Sequence, residues 1–330
     1  MHGWIIVDKP LGPGSTQVVS AVKRALRQGG YGKFKVGHGG TLDPLASGVL
    51  PVAVGEATKL AGRMLDSDKV YDFTIRFGAQ TDTLDAEGVV IATSDVRPTR
   101  GDVEAVLPRF TGPISQVPPA YSALKVDGER AYDLARAGED VVLASRDVTV
   151  HALHSSPIRG GGPAKLVVGQ PSSTAPAAAP PPPADAGGPP PRSGEDLQEV
   201  TLTAHVSKGT YIRSLARDIA AALGTVGHVT MLRRTKAGPF TLAPAITLDK
   251  LSEAGKGRTL EQILLPLRAG LDDIPALPLS PDQAGALRQG RVLTGIATDD
   301  GQYFACDGDT PVALVSVEDR QVRVVRGFNL

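Results

Sequence analysis

Residues 171–193 (PSSTAPAAAPPPPADAGGPPPRS) hold 9 prolines and 6 alanines in 23 positions, with no large apolar side chain. Proline withholds backbone donors and the run has little apolar surface to bury, so it cannot form part of a packed core. The rest of the chain must fold while leaving this tract outside, as an exposed, partly polyproline-II loop that would reach about 70 Å if fully extended. The flanks tighten the constraint. RDVTVHALHSS before it and EVTLTAHVS after it both alternate apolar and polar residues, as half-buried strands do. The tract is therefore expected to interrupt a hairpin and not to separate two domains.

Composition bounds the remainder. At 330 residues the chain is one large domain or two unequal ones, and 41% apolar residues suit a folded core. Cys306 is the single cysteine, which excludes an internal disulfide and argues against a cysteine-based zinc site. His151, His154, His205 and His228 lack the close spacing of a metal motif such as H-E-x-x-H, so no metal is expected. The opening MHGWIIVDKP has no basic n-region and too short an apolar run for a signal peptide, and no stretch is long enough to span a bilayer. A cytoplasmic protein with no membrane span is the expectation.

The 35 basic and 35 acidic residues cancel, which taken alone speaks against nucleic acid as a partner. The cancellation is uneven. Residues 1–40 carry Lys9, Lys23, Arg24, Arg27, Lys33 and Lys35 against Asp8, a net +5. Residues 203–240 carry Lys208, Arg213, Arg217, Arg233, Arg234 and Lys236 against Asp218, again +5. Residues 66–105 hold nine acids against four basic residues, a net −5. Brought together, the two basic segments would make one polyanion-binding face; left apart, they are ordinary solvated charge.

Periodicity supplies the elements. GWIIVDKP reads as a buried strand ended by Pro10, and Ser15 or Thr16 as the cap of a helix whose Val18, Val19, Val22 and Leu26 share a face, closed by Gly29-Gly30. Residues 31–47 read as a loop, and GVLPVAVG as a strand with Pro51 at an edge or bulge. EATKLAGRML reads as a short helix, KVYDFTIRFGAQ and GVVIAT as strands, and TDTLDAEG as the turn between them. ERAYDLARAG and TYIRSLARDIAAALG are helical, the second with Ile212, Leu215, Ile219 and Leu223 on one face. Several strands are joined by turns too short for parallel crossovers, so an α+β fold with a mixed, mostly antiparallel sheet flanked by helices is expected. Beyond residue 275, segments such as VALVSVE and QVRVVRGF predict a small β unit.

The chemistry concentrates in residues 37–59, GHGGTLDPLASGVLPVAVGEATK. Gly37, Gly39 and Gly40 allow a sharp bend or a close backbone approach, and Pro44 pushes Asp43 toward an extended conformation. That is a way to hold a carboxylate rigidly at a cleft; on spacing alone it is more commonly the pattern of an aspartate capping a turn. His38 has the same two readings, site residue or surface histidine. A phosphate loop is excluded because Gly-x4-Gly-Lys-Ser/Thr is absent, and no nucleophile elbow orders Ser15, His38 and Asp43 into a triad.

This stretch closely resembles the catalytic segment of the TruB family, the bacterial tRNA pseudouridine-55 synthases. The likeness continues in order through GWIIVDKPLGP, DSDKVYDFTIRFGAQTDTLDAEG, QVPPAYSALKVDGERAYDLARAG, VSKGTYIRSLARDIAAALG and GHVTMLRRTKAGPF. It fails at 156–198 and weakens after about 275. Gly39 stands where the family commonly has Thr, a change that would loosen the loop, and Gly14 stands where a hydroxyl residue is usual.

The resemblance implies a pseudouridine synthase domain at 1–274, interrupted near 171–193, followed at 275–330 by a small β-barrel-like RNA-binding unit of the PUA type. It implies isomerisation of uridine in the T-loop of tRNA: the N1–C1′ bond breaks and the base rejoins through C5. Asp43 matches the family's nucleophilic aspartate, a role a carboxylate can fill without metal or cofactor; attack on the ribose and removal of a ribose proton are both compatible with it. Tyr71 matches a tyrosine that stacks on the flipped base and can transfer a proton. His38 matches the histidine that helps displace the nucleotide, Tyr211 a pocket residue, Arg213 a partner for Asp43, and Leu232 an apolar wall of the base pocket. Lys9, Lys23, Arg24, Lys208, Arg233 and Arg234 would be phosphate contacts, and Arg130 falls in the segment resembling an RNA-clasping thumb. The expected partner is the tRNA T-stem-loop, met by a monomer without guide RNA. The competing readings are a non-catalytic tRNA-binding factor and a guide-directed enzyme; Asp43, Tyr71 and Arg213 count against the first, and the lack of a long lysine-rich tail against the second.

Overall fold

GWIIVDK becomes β1 (Gly3–Lys9) with both faces covered: Ile5 and Val7 join one apolar cluster, Trp4 and Ile6 another. A strand this apolar has its place in the interior of a sheet, where each fully buried large side chain contributes about 1.5–3 kcal/mol. The computed structural model describes residues 1–122, 124–126, 128–139, 141, 143–156 and 196–330, so the Pro/Ala tract and the side chain of Arg130 lie outside the described residues.

In chain order β1 is followed by α1 (Ser15–Gln28), β2 (Val36–His38), β3 (Ala46–Val54), α2 (Ala61–Asp66), β4 (Lys69–Phe77), β5 (Ala79–Thr81), β6 (Val90–Thr93) and α3 (Arg100–Val106). Next come β7 (Gly112–Gln116), β8 (Lys125–Val126), β9 (Glu129–Arg130), α4 (Ala131–Arg136), β10 (Arg146–Ser155), β11 (Glu199–Val206), α5 (Ile212–Ala222) and β12 (Gly227–Ala237). The chain ends with β13 (Phe240–Thr241), α6 (Leu248–Gly257), β14 (Leu265–Pro266), β15 (Ala276–Pro278), α7 (Pro281–Arg288), β16 (Leu293–Thr294), β17 (Gly301–Asp307), β18 (Thr310–Glu318) and β19 (Gln321–Gly327).

The large sheet runs β14-β1-β3-β12-β4-β11-β10-β7, with β13 beside β12 and β2 beside β3. Among the described residues its one parallel pairing is β3 with β12, so the sheet is mixed and mostly antiparallel. β10 and β11 pair antiparallel, Leu153 opposite Ala204 and Ser155 opposite Leu202, so the two segments flanking the Pro/Ala tract form one hairpin. α5 lays Ile212, Leu215 and Ile219 against β4, β11 and β12, while α1 and α6 cover the β1–β3 half.

Three local expectations need correction. Ser15 and Thr16 do not cap α1; Gly14 does, and Ser15 is the first helical residue with its hydroxyl turned inward. The segment 31–47 is not loop throughout, because Val36–His38 pair with Val52–Val54. Pro51 is at neither an edge nor a bulge of its pairing with β1, where it faces Ile6. Its carbonyl accepts from Gly39 N at 2.8 Å, and a strand residue's N and C=O point the same way, so its nitrogen needs no partner on β1.

The C-terminal strands form a separate five-stranded sheet, β15-β17-β18-β19-β16, with α7 across it. That helix, capped by Ser280 through Gln283, was not expected from the strand-like pattern. Phe304 and Phe328 enter the same cluster as Trp4, Ile6 and Leu267, and Arg63 holds Asp273 through two hydrogen bonds of 2.8 and 3.0 Å.

Gly48 is where β1, β3 and β12 meet: it faces Lys9 on one side and Arg234 on the other at φ 102°. A Cβ there would lie 2.1 Å from the Arg234 carbonyl oxygen. Gly48→Ala is expected to lower stability by more than about 2 kcal/mol, since backbone strain and a backbone clash add. Urea unfolding measures this, and an unchanged midpoint would contradict it.

Candidate active site

Asp43 sits in a loop whose backbone groups are nearly all occupied. Gly39 N donates to Pro51 O at 2.8 Å, and the carbonyls of Gly40 and Thr41 accept from the Arg234 guanidinium at 3.1 and 3.2 Å. Leu42 N donates to Ser15 Oγ at 2.8 Å, and that hydroxyl donates back to Leu42 O at 3.1 Å. Asp43 O accepts from Ala46 N, and Pro44 O from Gly12 N at 2.9 Å and the Lys9 ammonium at 3.4 Å. Gly40, at φ 128°, supplies a left-handed bend that lets its carbonyl reach Arg234. Gly39 does not loosen the loop: a Cβ there would lie 2.5 Å from the Met64 Cβ, so Met64 already fills the space a larger residue would take.

Lys9 and Arg234 are fully buried, which corrects their assignment as phosphate contacts. The Lys9 ammonium donates to the carbonyls of Pro10 and Pro13 at 2.9 and 2.8 Å as well as to Pro44, and Arg234 Nε donates to Val49 O at 2.8 Å. Burial pushes the Lys9 amine down to about 8, against the pull of the Asp43 carboxylate. Arg233 is paired with Asp8 at 2.8 Å and Lys208 with Asp66 at 2.6 Å, while Lys23 and Arg24 are exposed on α1.

Arg213, at the start of α5, reaches Asp43 Oδ2 at 3.0 Å. Its side chain is only 9% exposed while that of Asp43 is 47% exposed, so the cation is part of the interior and the carboxylate faces the cleft. The guanidinium is shared four ways. Nη1 donates to Thr83 O at 3.0 Å and Asp85 Oδ2 at 3.2 Å; Nη2 donates to Tyr121 O at 3.0 Å and pairs with Asp43. The planar fork of arginine allows this; an ammonium would not.

Asp85 is the residue the sequence reading missed. It lies in TDTLDAEG, read only as a turn, and its Oδ1 accepts from Thr83 Oγ1 at 2.6 Å and Glu87 N at 3.1 Å. Leu84 before it adopts φ 62°, a left-handed conformation costing a side-chain-bearing residue about 1–2 kcal/mol. Its carbonyl is held by Val229 N at 3.0 Å, tying this turn to β12. The available signals were an acid with a hydroxyl two residues earlier, and they fit any tight turn.

Asp43, Asp85 and Arg213 line a cavity of about 20 Å³ together with Leu45, Ala46 and Leu232. Tyr71, His38 and Tyr211 stand outside that lining. Tyr71 on β4 packs between the two core clusters, opposite Ala204 and Arg234. His38, on β2, has a buried Nδ1 without a hydrogen-bond partner, and burial, then the Arg234 charge, holds its imidazole below the usual value. Tyr211 precedes α5 and exchanges two backbone hydrogen bonds with the Gln116 amide, while its ring faces the Arg146 guanidinium at 5.7 Å. A larger depression of about 620 Å³ lies between α3 and β10, lined by Leu107, Pro108 and Leu153 with Glu104 and His154; the Asp43–Arg213 pair is not part of it.

Residues 23–166 match the family described as TruB family pseudouridylate synthase (N terminal domain), and residues 213–272 match the tRNA pseudouridylate synthase B C-terminal domain. A tRNA pseudouridine synthase B of Novosphingobium aromaticivorans is 61% identical over all of this chain and 98% of its own length. One from Zymomonas mobilis is 55% identical, over all of this chain and 96% of its own. Among solved structures, a Cbf5–Nop10–Gar1 complex is similar with a TM-score of 0.67 and 25% identity, covering 99% of this chain and 84% of that one. An H/ACA RNP bound to a substrate RNA containing 2′-deoxyuridine gives 0.66 at 23% identity, covering 99% and 85%, a likeness of fold.

Two outcomes follow from this geometry. Arg213→Lys is expected to cost about 3 kcal/mol, because one ammonium cannot satisfy two carboxylates and two carbonyls in a buried position; chemical unfolding checks it, and a loss below about 1 kcal/mol would refute it. The Lys9 amine is expected to titrate near pH 8 in an isotope-edited NMR experiment on the folded chain. Between that value and the ordinary lysine value the unfolded chain binds more protons, so Lys9 makes stability rise with pH across that window. A midpoint at the ordinary lysine value would sink the assignment.

Proposed function

We infer what the site does from one premise: the chain belongs to the TruB family of pseudouridylate synthases. It is an isomerase that forms pseudouridine in tRNA, the activity carried in the names of its relatives, and in this reading its target is uridine 55 in the T-loop. Asp43 is the nucleophile in this reading. The observation that carries it is the pairing of a half-exposed carboxylate, the usual ionised group of such a reaction, with a buried arginine that two other loop segments hold in place.

The target uridine must leave its stack at a cost of a few kcal/mol. Leu45, Ala46 and Leu232 offer its ring an apolar wall, and the Asp43 carboxylate stands at the polar corner beside Arg213. The cavity of about 20 Å³ has room for a water, and the half-exposed Asp43 carboxylate opens it to the cleft from which the base would enter. Tyr71, packed at the junction of the two core clusters, is placed in this reading to stack on the base and to handle the proton that leaves C5. His38 helps turn the nucleotide out, with an imidazole kept neutral by burial, and Tyr211 flanks the entrance. The reaction is an isomerisation: one glycosidic C–N bond breaks, one C–C bond forms, the C5 proton departs and N1 gains one. No cofactor enters this reading.

We assign residues 1–274 to the catalytic domain and 275–330 to a PUA-like RNA-binding unit docked on it through Phe304 and Phe328, which join the cluster of Trp4, Ile6 and Leu267. The chain acts as a cytoplasmic monomer directly on tRNA, without a guide RNA. Among the described residues no helix is long and apolar enough to cross a membrane.

Asp43→Asn is expected to abolish tritium release from C5-labelled uridine in tRNA while tRNA binding stays within a few-fold of the parent. Retained turnover would overturn the assignment of the nucleophile. The purified parent chain alone is expected to modify an isolated T-stem-loop hairpin; dependence on an added RNA would favour the guide-directed reading.

A further inference from the structure

We propose that Asp68, His151 and His205 form a binding site for one first-row divalent cation of the zinc type, at the sheet end where β4, β11 and β10 lie side by side. The spacing of these residues in the chain hides the site, since the two histidines stand on opposite arms of the interrupted hairpin and the aspartate before β4. Strand register brings them together. Val206 faces Lys69 and His205 faces Val70, so His205 lies diagonally across from Asp68, which precedes Val70 by two residues and shares its face of the sheet. The Asp68 carbonyl is in turn fixed by Gly238 N at 3.0 Å.

His151 arrives by an irregularity. Pairing of β10 with β11 runs Val150 to Val206 and then Ala152 to His205, leaving His151 as an extra residue. A bulge of this kind redirects a side chain, and here it sets the His151 ring 4.8 Å from that of His205 at an interplanar angle of 48°. Both Nε2 atoms converge on one carboxylate oxygen, Asp68 Oδ2, at 3.1 Å from His151 and 3.7 Å from His205.

Those separations suit a metal. Bonds of about 2.0–2.1 Å in a tetrahedron place neighbouring donor atoms about 3.3–3.4 Å apart, and the two observed distances bracket that edge. Two imidazole nitrogens and one carboxylate oxygen are a donor set for zinc and its first-row neighbours; magnesium and calcium prefer all-oxygen surroundings. Among the described residues Asp68 makes no ion pair with a lysine, although it attracts the charge of the neighbouring Lys69. Lys208 is taken by Asp66, and Lys69 donates to the carbonyls of Leu65 and Ser67. All three ligands are partly exposed, so the cation enters from solvent and keeps one position open to water. A cation there ties the ends of three strands together and closes the base of the hairpin that carries the Pro/Ala tract.

The test is isothermal titration of the full, metal-stripped chain with zinc chloride at pH 7.5, paired with the visible spectrum of added cobalt(II). One zinc per chain, a tetrahedral cobalt spectrum and no uptake of magnesium at the same concentration are expected. His151→Ala and His205→Ala should each weaken zinc binding at least about tenfold, while His154→Ala, an exposed histidine on the same strand outside the trio, leaves it unchanged. Zinc should raise the thermal midpoint of the parent and not that of His205→Ala. Retained pseudouridine formation and circular dichroism in the variants show that they are folded. No zinc uptake by the parent, a stoichiometry other than one, or binding undiminished in both ligand variants overturns the proposal.

Discussion

The site depends on two cations that never meet solvent. Arg234 and Lys9 lie inside the protein and point at the carbonyl oxygens of Gly40, Thr41, Val49, Pro10, Pro13 and Pro44. Burying a charge without partners costs several kcal/mol, and a glycine-rich loop without partners has no fixed shape. Each difficulty answers the other here, because the loop's carbonyl dipoles solvate the cations and the cations fix the loop. Ser15 completes the arrangement by holding both backbone groups of Leu42. Asp43 is left as the residue whose side chain the frame does not consume.

This frame changes what the charge distribution means. Two segments of +5 suggest a basic surface, but part of that charge is internal. Lys9 and Arg234 brace the loop, Arg213 holds Asp43 and Asp85, and Arg233 and Lys208 are each paired with an acid. The surface share falls to residues such as Lys23, Arg24 and Arg27 on the outer face of α1. Charge counted along a chain therefore overstates the field a polyanion meets when some cations serve as structural donors.

Much of the architecture was legible because the relevant patterns are local. β1, β3, the two arms of the interrupted hairpin and α5 announce themselves by apolar runs and periods within a dozen residues, and the pairing of β10 with β11 follows from their matched alternation. Asp43 was legible for a different reason: Pro44 restricts its backbone, and the ordered series of motifs around it, more than its spacing, set it apart from an aspartate capping a turn. What escaped depends on pairs distant in sequence. Asp85 gains its role only when α5 delivers Arg213 to its turn, and the meeting of His151 with His205 needs both a strand register and a bulge. The inward turn of Ser15 was missed because a helix-start hydroxyl reads as a cap, and only the position of Leu42 shows that it is used elsewhere.

The sharing of Arg213 between two carboxylates explains how the Asp43 carboxylate can be oriented without being sequestered. A lone bidentate arginine would bind both oxygens of Asp43 and leave neither for a substrate. Here Nη1 is given to Asp85 and the Thr83 carbonyl, and Nη2 divides between Tyr121 O and one oxygen of Asp43. One Asp43 oxygen is thus anchored on a buried side chain, and the half-exposed carboxylate still faces the cleft. The left-handed Leu84 backbone, held by Val229 N on its carbonyl and by burial of its side chain, sets Asp85 where it competes for the guanidinium. Asp85 therefore acts on Asp43 through the arginine, by limiting how much of that cation the Asp43 carboxylate can claim.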